Sequence, residues 1–176
     1  MAYRFGITPY TPHTSKKVKK AGWSDTYLTP LPLIKALGPF DLDPACPPEM
    51  PWRTARRMFH FPKQDGLILP WRGRVWLNPP FSKMKAFAQK MIEHGSGVIL
   101  LNGRATETRA SQLCFEASSA VLLMSKRIRF CDRKGEELGA WFPSILVGFG
   151  SEDRDRLYDL SILKRDEFGG TVFKRL

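Results

Sequence analysis

The stretch GVILLNG, residues 97–103, most restricts what this chain can fold into. Val98, Ile99, Leu100 and Leu101 are consecutive, and successive side chains of a strand point to opposite faces. A strand apolar on both faces needs a layer of structure on each side of its sheet. The flanking segments can supply those layers. SKMKAFAQKMIEHG (82–95) places Met84, Phe87, Ala88 and Met91 on one helical face, with Ser82 as its cap and Gly95 as its stop. TETRASQLCFEASS (106–119) reads as a second helix. LPLIKALG (31–38) reads as a third, entered at Thr29-Pro30 and ended by Gly38-Pro39. FDLDP (40–44), RVWLN (74–78), AVLLMS (120–125), RIRFC (127–131) and SILVGFG (144–150) read as strands. This alternation predicts an α/β three-layer domain with a mostly parallel sheet. The last two strands follow each other without room for a helix, which predicts an antiparallel hairpin at that edge. Beyond residue 151 the pattern predicts a helix and then a strand.

The chain outside these elements is less regular. Residues 1–22, with TPYTPHTSKKVKK, carry no apolar period and read as a basic, flexible arm whose Lys16, Lys17, Lys19 and Lys20 either touch phosphates or form a solvated tail. Residues 23–176 read as one domain. From Ala45 to Pro70 five prolines break the chain into loop.

Composition narrows the partner. With 28 Lys and Arg against 17 Asp and Glu, the formal charge of the 176 residues is +11. That excess favours a polyanion, most simply nucleic acid. No apolar run is long enough to span a membrane, and the chain opens without a signal-peptide pattern, which predicts a cytoplasmic location. Cys46, Cys114 and Cys131 lack C-x-x-C spacing, and His13, His60 and His94 are scattered, so no metal site is expected. Oligomeric state leaves no mark in the sequence.

At the end of RVWLN stands NPPF: Asn78, Pro79, Pro80 and Phe81. A neutral amide, two rigid prolines and an aromatic ring suit a planar ligand held by its edge and stacked on its face. The ordered succession DTYLTP (25–30), FDLDPAC (40–46), QDGLILPW (64–71), VWLNPPF (75–81) and VILLNGRA (98–105) resembles the amino-methylating, S-adenosylmethionine-dependent DNA methyltransferases. More narrowly, it resembles the phage-type, Dam-like DNA N6-adenine methyltransferases, over residues 23 to 150.

The resemblance implies a Rossmann-like methyltransferase sheet and methylation of a flipped adenine in specific sites of double-stranded DNA. It also implies a phage setting, with modification that evades host nucleases. An exocyclic amine conjugated with its ring is a poor nucleophile. Two acceptors, the Asn78 side-chain oxygen and the Pro79 carbonyl, would bend it towards tetrahedral geometry, with φ of the prolines fixed. Pro80 stiffens the motif and Phe81 would stack on the base. Related motifs begin with Asp, so Asn78→Asp is expected to keep an acceptor. By resemblance Asp41 or Asp43, with Ala45, lies near the methionine part of the cofactor. By the same resemblance Asp65 would accept from its adenine amino group, and Thr29 and Pro30 would line the methionine pocket. No glycine follows Asp43, unlike the family-wide form, and no ribose-binding acid is identifiable. The chain between Asp43 and Asn78 is short, which predicts a shortened sheet or a trimmed helix there. Arg104, Lys126, Arg127 and Arg129 stand near strand ends, where they either contact phosphate, giving affinity without sequence choice, or are ordinary surface charge. Alternatives are cytosine-N4 methylation, protein-glutamine methylation, which needs no basic footprint, and a non-enzymatic basic DNA-binding module, which has no use for Asn78 and Asp65 together.

Overall fold

The computed structural model describes residues 27–139 and 142–174. The basic arm and the order expected to begin near Trp23 lie outside the described residues. The elements run α1 (Leu31–Leu37), β1 (Leu42–Cys46), β2 (Arg57–His60), β3 (Val75–Leu77), α2 (Met84–His94), β4 (Gly97–Asn102), α3 (Arg109–Ala117), β5 (Ala120–Met124), β6 (Phe130–Cys131), β7 (Glu137–Gly139), β8 (Ser144–Phe149), α4 (Ser151–Leu163), α5 (Arg165–Phe168) and β9 (Gly170–Lys174).

One seven-stranded sheet has the order β2-β1-β3-β4-β8-β5-β9. β2, β1, β3 and β4 pair in parallel, and β8 and β9 run against their neighbours. The two-sided core follows from strand alternation. Trp76, Val98, Leu100, Leu122 and Leu146 pack with Leu33 and Leu37 of α1 and Leu157 and Leu160 of α4. Their neighbours Val75, Leu77, Ile99, Leu101, Ile145 and Val147 pack on the other face with Phe87 and Met91 of α2 and Cys114 of α3. The mixed, mostly parallel three-layer sheet agrees with a Rossmann-like methyltransferase.

Four local expectations are corrected. The edge hairpin does not form: β6 leaves the main sheet to pair with β7, while β8 inserts between β4 and β5. An all-buried strand such as β8 gains more in the interior of a sheet than at its rim. β2 rises within the region read as loop, and only Phe59 of its four residues is buried, so no apolar period announces it. α2 is entered through a 3-10 turn over Phe81–Lys83, and no side chain caps it, Ser82 included. At its other end Gly95 does stop the helix, with φ 73°, a left-handed conformation that favours glycine. α3 begins at Arg109, later than expected, because the Thr108 side chain accepts from Ser111 N and caps it there.

No helix is described between Cys46 and Val75, so the segment linking β1 to β3 is trimmed as expected. A buried ion pair ties the amino ends of β3 and α4. Arg74 Nε lies 2.7 Å from Asp153 Oδ1, Asp153 Oδ2 accepts from Gly97 N at 2.7 Å, and Arg74 also donates to the Leu37 and Pro39 carbonyls.

Candidate active site

The parallel strands β1, β3 and β4 end side by side, and ligands of open α/β sheets bind beyond such ends. Two cavities open there. The larger, about 320 Å³, is walled by Thr29, Asp43, Thr54, Asn78, Pro79 and Phe81 among others. The smaller, about 240 Å³, is walled by Phe59, Phe61, Asp65, Gly66, Lys83 and Phe87 among others. Ala45, Cys46, Phe61 and Pro80 line both, so the two adjoin.

Asn78 leaves the end of β3 half-buried. Its Nδ2 donates to the Tyr27 carbonyl at 2.9 Å and to Thr29 Oγ1 at 3.2 Å. Its Oδ1 and the carbonyl of Pro79 take no hydrogen bond among the described residues. Phe81 is 42% exposed, and its ring meets Tyr27 and Phe142 at centroid distances of 6.3 and 5.9 Å. An aromatic face is thus presented next to two unsatisfied acceptors.

Asp43 is buried in the wall of the larger cavity. Thr54 Oγ1 donates to Asp43 Oδ2 at 2.5 Å, and Ala45 N donates to Oδ1 at 3.1 Å. Burial raises the Asp43 carboxyl to about 6, although those hydrogen bonds and nearby His60 pull it down. In the smaller cavity Asp65 Oδ1 accepts from Leu67 N at 2.8 Å, and its second oxygen has no hydrogen-bond partner among the described residues. The turn that carries Asp65 is held from α2. Lys90 Nζ donates to the carbonyls of Gly66, Leu67 and Leu69 at 3.0, 2.9 and 2.7 Å, and Trp71 Nε1 donates to Gly66 at 2.7 Å.

Thr29, Asp43, Ala45, Asp65 and Asn78 to Phe81 therefore come together at one end of the sheet. Asp41 does not. It precedes β1 at the opposite end, where Oδ2 accepts from Arg74 N at 2.9 Å, so of the two acids only Asp43 faces a cavity. Pro30 also stands back from the walls and opens α1, accepting from Leu33 N and Ile34 N. Arg104, Lys126, Arg127 and Arg129 are exposed and follow the carboxyl ends of β4 and β5, on the same rim as the cavities. Lys126 donates to the Asp166 carbonyl, and Arg129 pairs with Glu137 at 2.7 Å.

The sequence held no signal for Thr54, Phe61, Lys90 or Phe142. Thr54 and Phe61 lie in the proline-broken region, Lys90 is one of several lysines on an amphipathic helix, and Phe142 follows no motif. Among the described residues no helix is long and apolar enough to cross a membrane, and no cluster of His, Cys, Asp or Glu suits a metal ion.

An amide and two prolines at the end of a sheet strand, beside paired cavities in a strongly basic chain, form a site suited to a planar, amine-bearing group of a polyanion. The family model described as DNA N-6-adenine-methyltransferase (Dam) matches residues 13–166, most of the chain, and the chain belongs to that family. It is a DNA adenine-N6 methyltransferase. No curated protein and no solved structure matched the chain.

Proposed function

We propose that the enzyme takes the methyl group from S-adenosylmethionine and places it on N6 of an adenine turned out of double-stranded DNA at specific sites. The observation that carries this reading is Asn78: its nitrogen is engaged by Tyr27 and Thr29, while its oxygen is left open beside the Pro79 carbonyl and the Phe81 ring.

The adjoining cavities suit a nucleoside cofactor beside a base. Phe59, Phe61 and Phe87 offer apolar walls for a purine, and the open oxygen of Asp65 is an acceptor for its amino group. Asp43, facing the larger cavity, would meet the methionine ammonium, with Thr29 and Ala45 beside it. When bound, the cofactor supplies a methyl group activated on sulfonium sulfur. On the substrate side, Asn78 Oδ1 and the Pro79 carbonyl would accept from the two N–H groups of the adenine amine and localise its lone pair. Asn78 is neutral and is no strong base, so the proton leaves after the transfer. Phe81 would hold the base by stacking, worth about 1–3 kcal/mol, comparable with the cost of extruding it. Arg104, Lys126, Arg127 and Arg129 would take phosphates along the rim.

Single-turnover methylation of mixed-sequence duplex DNA with labelled cofactor, followed by nucleoside analysis, tests this. N6-methyladenine is the expected product. Asn78→Ala should lose about 10²–10³ in rate while folding and cofactor affinity persist. A folded Asn78→Ala enzyme that methylates at the wild-type rate would sink the reading.

A further inference from the structure

We infer that the segment Tyr27–Thr29 is a clamp that sets which end of the Asn78 amide faces the substrate. This makes Thr29 a positioning residue for methyl transfer and makes Asn, rather than Asp, the working residue at position 78. The inference rests on Asn78 as the acceptor of the target amine.

A primary amide has two ends of similar shape and opposite hydrogen-bonding character. An amine with two N–H groups is activated only if the oxygen end meets it. With the nitrogen end forward, donors would face donors. In Asn78 the choice is made by the partners of Nδ2. The Tyr27 carbonyl, 2.9 Å away, can only accept, so the amide nitrogen must lie on that side. Thr29 Oγ1, at 3.2 Å, takes the second N–H. Both donors of the amide are then used on one side, and Oδ1 is turned to the other.

The clamp is itself held firmly. Leu28 is 1% exposed and exchanges two backbone hydrogen bonds with Cys131, at 3.0 and 2.9 Å. Thr29 is 2% exposed, and Pro30 directly after it starts α1. The Tyr27 ring packs against Phe81, Phe130 and Phe142. A segment buried and bonded in this way keeps its carbonyl in place while the substrate enters and leaves.

The clamp changes what Asn78→Asp should do. A carboxylate there would bring an oxygen against the Tyr27 carbonyl, acceptor against acceptor, and the charged form would be disfavoured. Its protonated form restores the arrangement, since the O–H donates to Tyr27 and the carbonyl oxygen faces the amine. Asn78→Asp should therefore be poorly active at neutral pH and recover as pH falls, contrary to the expectation from related motifs that Asp simply substitutes. The other titratable groups on the walls of this cavity are Asp43, Cys46 and Tyr27. They are present in both enzymes, and the like charge of Asp43 adds to the upward push on the acid introduced at position 78.

The experiment is single-turnover methylation at saturating cofactor by wild type, Asn78→Ala, Asn78→Asp, Thr29→Val and Thr29→Ser, with circular dichroism and cofactor affinity for each. Thr29→Val should lose about tenfold in the rate constant, the worth of one hydrogen bond, and Thr29→Ser should restore it. The ratio of Asn78→Asp to wild type should rise steadily from about pH 8 to about pH 6, as protonation of the introduced acid requires. If Asn78→Ala is inactive, yet the Asn78→Asp ratio is flat with pH and Thr29→Val keeps the wild-type rate, the clamp is overturned and the catalytic role of Asn78 stands. If Asn78→Ala is fully active, the catalytic role fails with it. Should Thr29→Val not fold, the pH series decides alone.

Discussion

Gly66 lies so close to Pro44 that a Cβ on Gly66 would sit 1.9 Å from the Pro44 carbonyl oxygen. The contact joins the turn that carries Asp65 to the strand end that carries Asp43 and Ala45, and so sets the spacing of the smaller cavity. Neither backbone can move aside cheaply. Gly66→Ala should cost about 1–3 kcal/mol in urea unfolding, as overpacking does, and should weaken S-adenosylmethionine binding by calorimetry more than Asp65→Ala does. Unchanged stability and affinity would show that the two segments separate freely.

Asp43 gives the free enzyme a pH dependence of unusual sign for a carboxylate. Burial raises its pKa from 3.8 to about 6, so the folded protein holds this proton more tightly than the unfolded chain. The contribution to stability is full below the unfolded value and is lost as pH rises through the folded one. The loss is on the order of 3 kcal/mol. Asp43→Asn should remove that slope. Urea stability of wild type relative to Asp43→Asn should fall across this window and level off above it; a difference independent of pH would contradict the assignment.

Arg74 and Asp153 are 5% and 1% exposed and meet far from the cavities. Burial pushes the Arg74 pKa down and that of Asp153 up, and their contact opposes both shifts. Asp153→Ala would leave the buried guanidinium with only the more distant Glu152, 3.9 Å away, and Gly97 N without its acceptor. A loss of about 3–5 kcal/mol is expected in denaturant unfolding, with catalysis by the remaining folded enzyme unaffected. A cost near zero would mean that Glu152 or water answers the Arg74 charge in place of Asp153.

Arg104 is exposed on the cavity rim, and its guanidinium makes no ion pair among the described residues, whereas Arg129 is already paired with Glu137. Arg104→Ala should reduce the slope of log DNA affinity against log salt by about one, as loss of one phosphate contact does. Arg129→Ala should change it less, because its charge is largely answered within the protein. Titrations at several salt concentrations compare the two, and an equal effect would count against a role for Glu137.

Features set by near neighbours in the chain are legible in the sequence itself. The apolar run of β4 marks a strand covered on both faces, Gly95 stops α2, and NPPF stands at the end of a strand. Each depends on a few consecutive side chains and the period of one element. β2 is not legible in this way, because burying Phe59 alone leaves no period to read. Nor is the insertion of β8, because a strand apolar on both faces is equally content beside several partners. Which partner it takes depends on the faces the rest of the sheet leaves open.

The site divides along the same line. Sequence by itself determined the reacting motif, the acids within reach of a strand end and the basic charge that suits DNA, because side-chain chemistry and local stiffness are properties of short stretches. Tertiary structure alone decided that Asp43 and not Asp41 faces the cavity, that the Thr54 hydroxyl donates a hydrogen bond to Asp43, and that Tyr27 and Thr29 hold the nitrogen of Asn78. Those partners are 11, 51 and 49 residues apart in the chain. A hydrogen bond acts over about 3 Å, and only the closing of β1 against β3, with segment 27–29 laid across their ends, brings such distant groups within that range.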